Sequence, residues 1–192
     1  MKKILNYLKN QKGFTLVEML VVMAIIFVLV GIVLINYKSG QKELALQRAA
    51  NKLAQDIRRA EEMAMAAVVK TCITPNKFHY TFGISVSANS NCNLPKAPCK
   101  DRYILFTDCN GNNTYQWGSD EDLEISSGDF TSYAEVSSLN FNGDIAFQPP
   151  DPTVLIDNNP DTTQATIIIS LKGDPTRTKT ITVNKVGLIE IQ

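Results

Sequence analysis

The stretch KGFTLVE, residues 12–18, joins a short basic leader to a long apolar run. The leader has no acidic residue and carries four lysines: Lys2, Lys3, Lys9 and Lys12. From Leu16 to Ile35 the chain is apolar except for Glu18, and a helix of these 20 residues is about 30 Å long, enough to cross a bilayer core. A carboxylate inside such a segment costs at least about 2.5 kcal/mol on insertion scales, so the sequence predicts a partner for Glu18.

Residues 1–35 match neither an ordinary secretory signal nor a plain anchor. A secretory signal has an apolar core of about 7–15 residues and a cleavage site of small residues, whereas this run is longer and residues 36–39 read NYKS. A plain anchor explains the length but not Glu18. The lysines before the run predict a cytoplasmic leader and a body that crosses the membrane into a compartment where cysteines can pair.

The stretch from Gly13 to Leu20 resembles the class III signal of type IV pilins and pseudopilins. The basic leader, the glycine, the phenylalanine, the glutamate and the apolar run occur in the order typical of that family. The resemblance implies cleavage between Gly13 and Phe14 by prepilin peptidase and N-methylation of Phe14. It also implies that Glu18 pairs with the Phe14 ammonium of a neighbouring subunit during assembly.

The same resemblance implies a location and a set of partners. The chain is expected in the bacterial inner membrane as a single-pass protein, with a cytoplasmic leader and a periplasmic or extracellular C-terminal domain. The partners expected are other pilins or pseudopilins, which contact the N-terminal helix, together with prepilin peptidase and the inner-membrane assembly platform.

The apolar run continues into a segment with one apolar face. Its apolar residues recur at alternating spacings of four and three: Leu46, Ala50, Leu53, Ile57, Ala60, Ala64 and Ala67. We therefore predict one helix from Phe14 to Val69, apolar all round in its first half and amphipathic in its second. The stripe needs an apolar partner, and a sheet is the obvious one.

The remaining chain has the composition of an antiparallel β domain. Segments rich in β-branched and aromatic residues lie at 78–86, 103–107, 138–141, 145–147, 165–171, 180–184 and 188–191. The Asn142-Gly143 pair predicts a hairpin between two of them, Lys185 to Gly187 predicts a terminal hairpin, and residues 149–161 read as a loop.

Together these patterns predict an α+β fold of the pilin type, with a long N-terminal helix packed on an antiparallel sheet. The predicted organisation is a leader at 1–13, a transmembrane half-helix at 14–37, an amphipathic half-helix at 38–70 and a soluble β domain at 71–192. Within the family, Tyr103–Asn112, Asn140–Pro149 and Thr180–Ile191 resemble the H-type pseudopilins and FimT-like minor pilins.

The cysteines all lie after the predicted membrane span: Cys72, Cys92, Cys99 and Cys109. Four cysteines allow three pairings, among which the sequence does not choose. The short Cys92–Cys99 segment is easily closed, which leaves Cys72–Cys109 as the other tentative pair. Disulfides are favoured over a zinc site, because C-x-x-C spacing is absent and His79 is the only histidine.

An oxygen-rich segment allows two interpretations. Its candidate ligands are Asp108, Asn110, Asn112, Asp120 and Asp122, and such side chains can hold calcium. The segment lacks the glycine and the final glutamate of an EF-hand loop. A turn in which Asp and Asn side chains bind their own backbone is therefore favoured, with calcium as the alternative and no other cofactor expected.

Basic residues near the C-terminus favour a solvated surface over a nucleic-acid site. They are Lys172, Arg177, Lys179 and Lys185. The formal net charge of the chain is zero, acidic residues dilute this group, and no aromatic residue lies among the cations to stack on bases.

The sequence contains no constellation typical of an enzyme. It lacks G-x-S-x-G, P-loop and G-x-G-x-x-G motifs, and the only histidine lies in a predicted strand. The favoured function is therefore a structural one: a minor pilin or pseudopilin that primes or caps a type IV pilus or a type II secretion pseudopilus. The alternative is a tip-located receptor or adhesin that binds DNA or a surface ligand.

Overall fold

The computed structural model describes residues 13–72, 78–90, 98–119, 121–127, 130, 133–150 and 153–192. At 35–36, 38, 70–71, 78–79 and 121–127 only the backbone is described. The predicted leader before Gly13, the cysteine Cys92 and the candidate ligand Asp120 lie outside these ranges.

A single helix, α1, extends from Leu16 to Met65. It was predicted from Phe14 to Val69, and both ends lie inside those bounds because each is closed by a specific cap. Among the described residues it is the one helix long and apolar enough to cross a membrane. The apolar side chains described from Phe14 to Leu34 are exposed, as expected of a segment that presents its surface to lipid or to other helices.

The C-terminus of α1 is closed by a Schellman motif, with an alanine where glycine is usual. The Val68 N–H donates to the Met63 carbonyl at 3.1 Å, and the Ala67 N–H donates to the Ala64 carbonyl at 2.9 Å. Ala67 adopts a φ of 46°, in the left-handed region. The apolar stripe therefore ends at Ala64, and Ala67 is exposed although its spacing fits the stripe.

The chain divides into two compact units, residues 1–41 and 42–192. The second contains the amphipathic part of α1 and all the strands described: β1 Lys70–Thr71, β2 Phe78–His79, β3 Phe82–Ser85, β4 Arg102–Thr107, β5 Glu121–Ser127, β6 Ala134–Leu139, β7 Asp144–Gln148, β8 Thr153–Ile156, β9 Gln164–Leu171, β10 Asp174–Asn184 and β11 Ile189–Ile191. They form antiparallel sheets in the orders β5-β4-β3-β7-β8, β11-β10-β9-β6 and β1-β2.

The core of the second unit lies between α1 and both larger sheets. Leu46, Leu53 and Ile57 of the helix are fully buried with side chains of both sheets, such as Ile84 and Ile167. Each buried side chain of this size contributes about 1.5–3 kcal/mol of transfer free energy. From Leu46 to Ala64, the helix stripe predicted from spacing is thus confirmed as the face that packs on the sheets.

The predicted hairpin at Asn142-Gly143 is wrong. The strand before it, β6, pairs with β9 in the four-stranded sheet, whereas β7 after it pairs with β3 and β8 in the five-stranded sheet. The turn therefore carries the chain from one sheet to the other. Its main-chain N–H groups at Asn142, Gly143 and Asp144 donate to the Asp157 carboxylate at 2.6, 3.1 and 3.1 Å.

Two strands of the five-stranded sheet lie where the sequence predicted none. The interval 149–161 was expected to be a loop but contains β8, in which Val154 and Ile156 alternate as buried residues and pair with β7. The other is β5, an acidic strand that pairs along the edge of β4. The terminal hairpin is confirmed: β10 and β11 pair in antiparallel register, and Gly187 in the link has a φ of 85°.

Candidate assembly site at the start of the helix

Thr15 and Glu18 close the N-terminus of α1 as a reciprocal capping box. The Glu18 N–H donates to Thr15 Oγ1 at 3.3 Å, and the Thr15 N–H donates to Glu18 Oε2 at 3.0 Å. The Thr15 hydroxyl also donates to Glu18 Oε2 at 3.0 Å. The predicted assembly carboxylate is therefore fixed at the first turn of its own helix, where negative charge complements the helix dipole.

The two residues of the predicted cleavage junction are both accessible. Phe14 is 82% exposed, and a side chain added to Gly13 would meet no described atom within 4 Å beyond its chain neighbours. Both precede the first helical residue, so the peptide bond between them is outside the helical hydrogen-bond pattern. Gly13, Phe14 and Glu18 thus belong to one exposed helix start.

The capping box is a feature that our sequence analysis missed. Its signature, threonine followed three residues later by glutamate before an apolar run, is present in Thr15-Leu16-Val17-Glu18. The sequence predicted that Glu18 has a partner, and the structure supplies one within the same chain.

The Cys72–Cys109 disulfide is present, with the two Cα atoms 5.7 Å apart. It connects the segment just after α1 to the turn that follows β4, as predicted. Cys99 is also disulfide-bonded, while the predicted partner Cys92 lies outside the described residues. By limiting the unfolded chain, a bridge of this kind contributes a few kcal/mol, about 2–4.

The oxygen-rich turn after β4 is organised around Asp108, which is fully buried. Its carboxylate accepts the main-chain N–H groups of Asn110, Gly111 and Asn113 at 3.2, 2.8 and 2.8 Å. The side-chain oxygens of Asn110 and Asn112 likewise accept N–H groups two residues onward, both at 3.0 Å. These contacts have the geometry of Asx turns.

The calcium hypothesis concerns five side chains, of which the structure describes three. Within the described residues, no group of three His, Cys, Asp or Glu side chains is placed to hold a metal ion. Of the other candidate ligands, Asp120 is outside the described residues and the Asp122 side chain is not described. Calcium at Asp108, Asn110, Asn112, Asp120 and Asp122 stays a prediction.

A buried polar link joins α1 to the five-stranded sheet. Asp56 is 5% exposed, accepts a 2.5 Å hydrogen bond from the Tyr103 hydroxyl and lies 3.1 Å from Lys52 Nζ. The Tyr103 ring packs edge-on against Phe130, with centroids 5.2 Å apart. This carboxylate is thus used for packing the helix on the sheet.

The basic residues near the C-terminus include cations with partners in the same chain. Arg177 lies 3.4 Å from Asp174 and 3.8 Å from Glu43. Hydrogen bonds from Thr176, with the positive charge of Arg177, hold the pKa of Asp174 below its ordinary value. Lys185 Nζ donates to the Pro160 carbonyl. These contacts are those of a solvated ion-pair surface.

The chain is similar to solved structures and to family models. Comparison with curated sequences gives no match. Two solved structures of the type IV minor pilin FimU from Pseudomonas aeruginosa are similar, with 13% identity and a TM-score of 0.49 in one crystal form and 16% and 0.48 in the other. The first match covers 77% of this chain and 87% of that chain, and the second covers 77% and 92%.

Two family models match as well. The prokaryotic N-terminal methylation motif matches residues 8–34, which include the whole candidate site. The type II transport protein GspH model matches residues 49–187, from the amphipathic part of α1 to the terminal hairpin. That family consists of structural filament subunits and is not a family of enzymes. Because its model spans more than half of the sequence, this chain belongs to the GspH family of minor pilins and pseudopilins.

Proposed function

We propose that the chain is a minor pseudopilin that prepilin peptidase cleaves between Gly13 and Phe14, and that primes or caps a type IV pilus or a type II secretion pseudopilus. The observation that carries the proposal is the helix start. There, an accessible glycine junction stands directly before an exposed apolar helix whose first turn holds a carboxylate.

Cleavage would change the charge at this helix start. It would create an ammonium group on Phe14, which N-methylation leaves positive, beside the positive end of the helix dipole. A positive charge there is unfavourable unless a carboxylate lies close to it. A neighbouring subunit's Glu18 supplies that carboxylate, so the two charges leave the lipid together.

The pairing would also order the assembly. Removing one partner of a buried ion pair costs about 3–5 kcal/mol, because the other charge is left unpaired. A subunit that lacks a neighbour therefore keeps an expensive charge in the membrane. One that is docked beside a pilin or pseudopilin does not.

Replacing the junction glycine tests the processing step. We expect Gly13→Arg to accumulate as a full-length precursor, because the narrow protease subsite implied for this position does not accept a long cationic side chain. Mass spectrometry of the N-terminus in cells that contain prepilin peptidase measures the mature fraction. Val17→Ala is the matched control and should be processed normally. Efficient cleavage of Gly13→Arg after residue 13 would contradict the proposal.

Replacing Glu18 tests the assembly step. We expect Glu18→Ala to be processed normally but to assemble poorly, since the neighbour's ammonium loses its partner. The mature protein recovered with sheared filaments, divided by the total mature protein, gives the assembled fraction. If the assembled fraction of the Glu18→Ala variant equals that of the unmodified chain, the pairing is excluded.

A further inference from the structure

We infer that Thr15 is a positioning residue for assembly, whose hydroxyl holds the Glu18 carboxylate ready for the neighbouring subunit. The inference rests on the proposed function, because it assigns Thr15 a role in the pairing proposed above. The structural basis is the capping box, in which Thr15 both donates to Glu18 and accepts from it.

The box occupies only one of the two carboxylate oxygens. The Thr15 N–H and the Thr15 hydroxyl both donate to Glu18 Oε2, each at 3.0 Å. Among the contacts that the structure describes, Oε1 receives no donor. A cation can therefore approach Oε1 without breaking the capping box, and the Glu18 side chain it contacts is already held in one rotamer.

The box also survives cleavage. The Thr15 N–H belongs to the peptide bond between Phe14 and Thr15, which cleavage after Gly13 leaves intact. No atom of the box lies in the leader. The new ammonium would be formed one residue before the cap, so the mature subunit carries its cation and its oriented carboxylate on the same helix start.

Pre-positioning lowers the cost of docking. A free glutamate samples several rotamers and loses that freedom on pairing, whereas a capped glutamate has already lost it. The Thr15 contacts also satisfy part of the carboxylate's hydrogen-bonding capacity while the subunit waits in the membrane. Loss of the hydroxyl should therefore reduce assembly without preventing cleavage.

The test compares three variants of the full chain in cells that contain the assembly machinery. Thr15→Val removes the hydroxyl at nearly constant volume, Thr15→Ser keeps it, and Thr15→Val combined with Glu18→Ala removes both partners. The readout is the assembled fraction of the mature protein, so that any change in processing is divided out.

We expect Thr15→Val to lower the assembled fraction about fivefold, in line with the loss of the single hydrogen bond from the Thr15 hydroxyl to Glu18 Oε2, and Thr15→Ser to restore it. In the Glu18→Ala background, Thr15→Val should have no further effect. Normal assembly of Thr15→Val beside defective Glu18→Ala would overturn the inference and leave the proposed function standing. An equal fivefold loss in the Glu18→Ala background would also overturn it, since the hydroxyl would then act independently of Glu18. Normal assembly of Glu18→Ala would instead remove the pairing itself.

Discussion

Glu18 is the residue for which the sequence prediction and the structure can be compared most directly. A carboxylate in an apolar span required a partner, and Thr15 provides two donors to it within the first turn of α1. The intrachain box lowers the cost of the charge before assembly. The proposed pairing with a second subunit is then the step that neutralises the carboxylate.

Ala67 is a second residue whose backbone predicts a measurable effect. Its φ of 46° places a side chain in the left-handed region, which costs a non-glycine residue about 1–2 kcal/mol. We expect Ala67→Gly to raise the free energy of unfolding by about 0.5–1 kcal/mol after the entropy of the unfolded glycine is subtracted. Thermal unfolding of the full chain in detergent measures the gain.

The matched control for that change is Ala66→Gly, one residue earlier. The φ of Ala66 is not positive, so glycine there gains nothing and should destabilise by up to about 1 kcal/mol. Opposite shifts in the melting temperature of the two variants support the Schellman cap. A destabilised Ala67→Gly would show that the helix does not end in this motif.

Glu61 gives a prediction about pH. Burial raises the pKa of this carboxyl above its ordinary value of 4.5, the charge of Glu62 raises it further, and Arg58 opposes the shift. A raised folded-state pKa means that the ionised form destabilises the fold. The stability therefore increases as the pH falls through the folded pKa towards 4.5.

We expect Glu61→Gln to melt at a higher temperature than the unmodified chain at pH 7, with the difference shrinking as the pH approaches 4.5. Melting curves of both proteins from pH 7 to pH 4 measure it. The control is Glu190→Gln, at an exposed position. A difference that grows on acidification would contradict the assignment.

Among the elements, the turn between β6 and β7 shows how local signals can mislead. Asn142-Gly143 fits a hairpin, and the local sequence contains nothing against one. The deciding contact comes from Asp157, which binds three successive N–H groups of the turn from beyond β8. A pattern of neighbouring residues cannot predict a partner that lies so far along the chain.

Gly143 in the same turn should be more sensitive to substitution than Gly111, which lies in the turn after β4. Gly143 has a φ of 129°, and a side chain added there would overlap the Val86 carbonyl oxygen. Gly111 has a φ of 80°, and a side chain added there would meet no described atom within 4 Å beyond its chain neighbours. Gly111→Ala should therefore cost only backbone strain, about 1–2 kcal/mol, whereas Gly143→Ala should cost about 3 kcal/mol or more.

Thermal unfolding of the two alanine variants tests this difference. A much lower melting temperature for Gly143→Ala, or the absence of a cooperative transition, is the expected result. Equal melting temperatures would show that the turn has room for a side chain and does not cross between the sheets as described.

The helix was easier to predict than the strands. Its stripe repeats over many turns, so Leu46, Leu53 and Ile57 could be assigned to one buried face from spacing alone. The strand β8 could not, because its four residues follow a proline-rich stretch whose signals indicate a loop. Short strands depend on partners elsewhere in the sheet, and β8 is defined by its pairing with β7.

At the scale of the whole molecule, the functional inference depends on a small part of the chain. The junction from Gly13 to Glu18 predicted the family, and the match of residues 8–34 to the N-terminal methylation motif agrees with it. The division of the β domain into two larger sheets could not be predicted, since the order of strands depends on the crossover after β6. The match of residues 49–187 to the GspH model assigns the chain to its family. The sheets of the β domain bury the apolar face of the amphipathic part of α1.

The central claim is that Glu18 of one subunit pairs with the amino terminus of another, and a zero-length crosslink tests it most directly. A lipid-soluble carbodiimide joins a carboxylate to an amine only where the two are in contact. Filaments assembled from this chain and its partner pilins, with this chain alone isotopically labelled, would be treated and digested for mass spectrometry. We expect an amide between Glu18 of the labelled chain and the amino-terminal residue of another subunit. Filament-derived peptides in which Glu18 is unlinked, or linked only within its own chain, would contradict it.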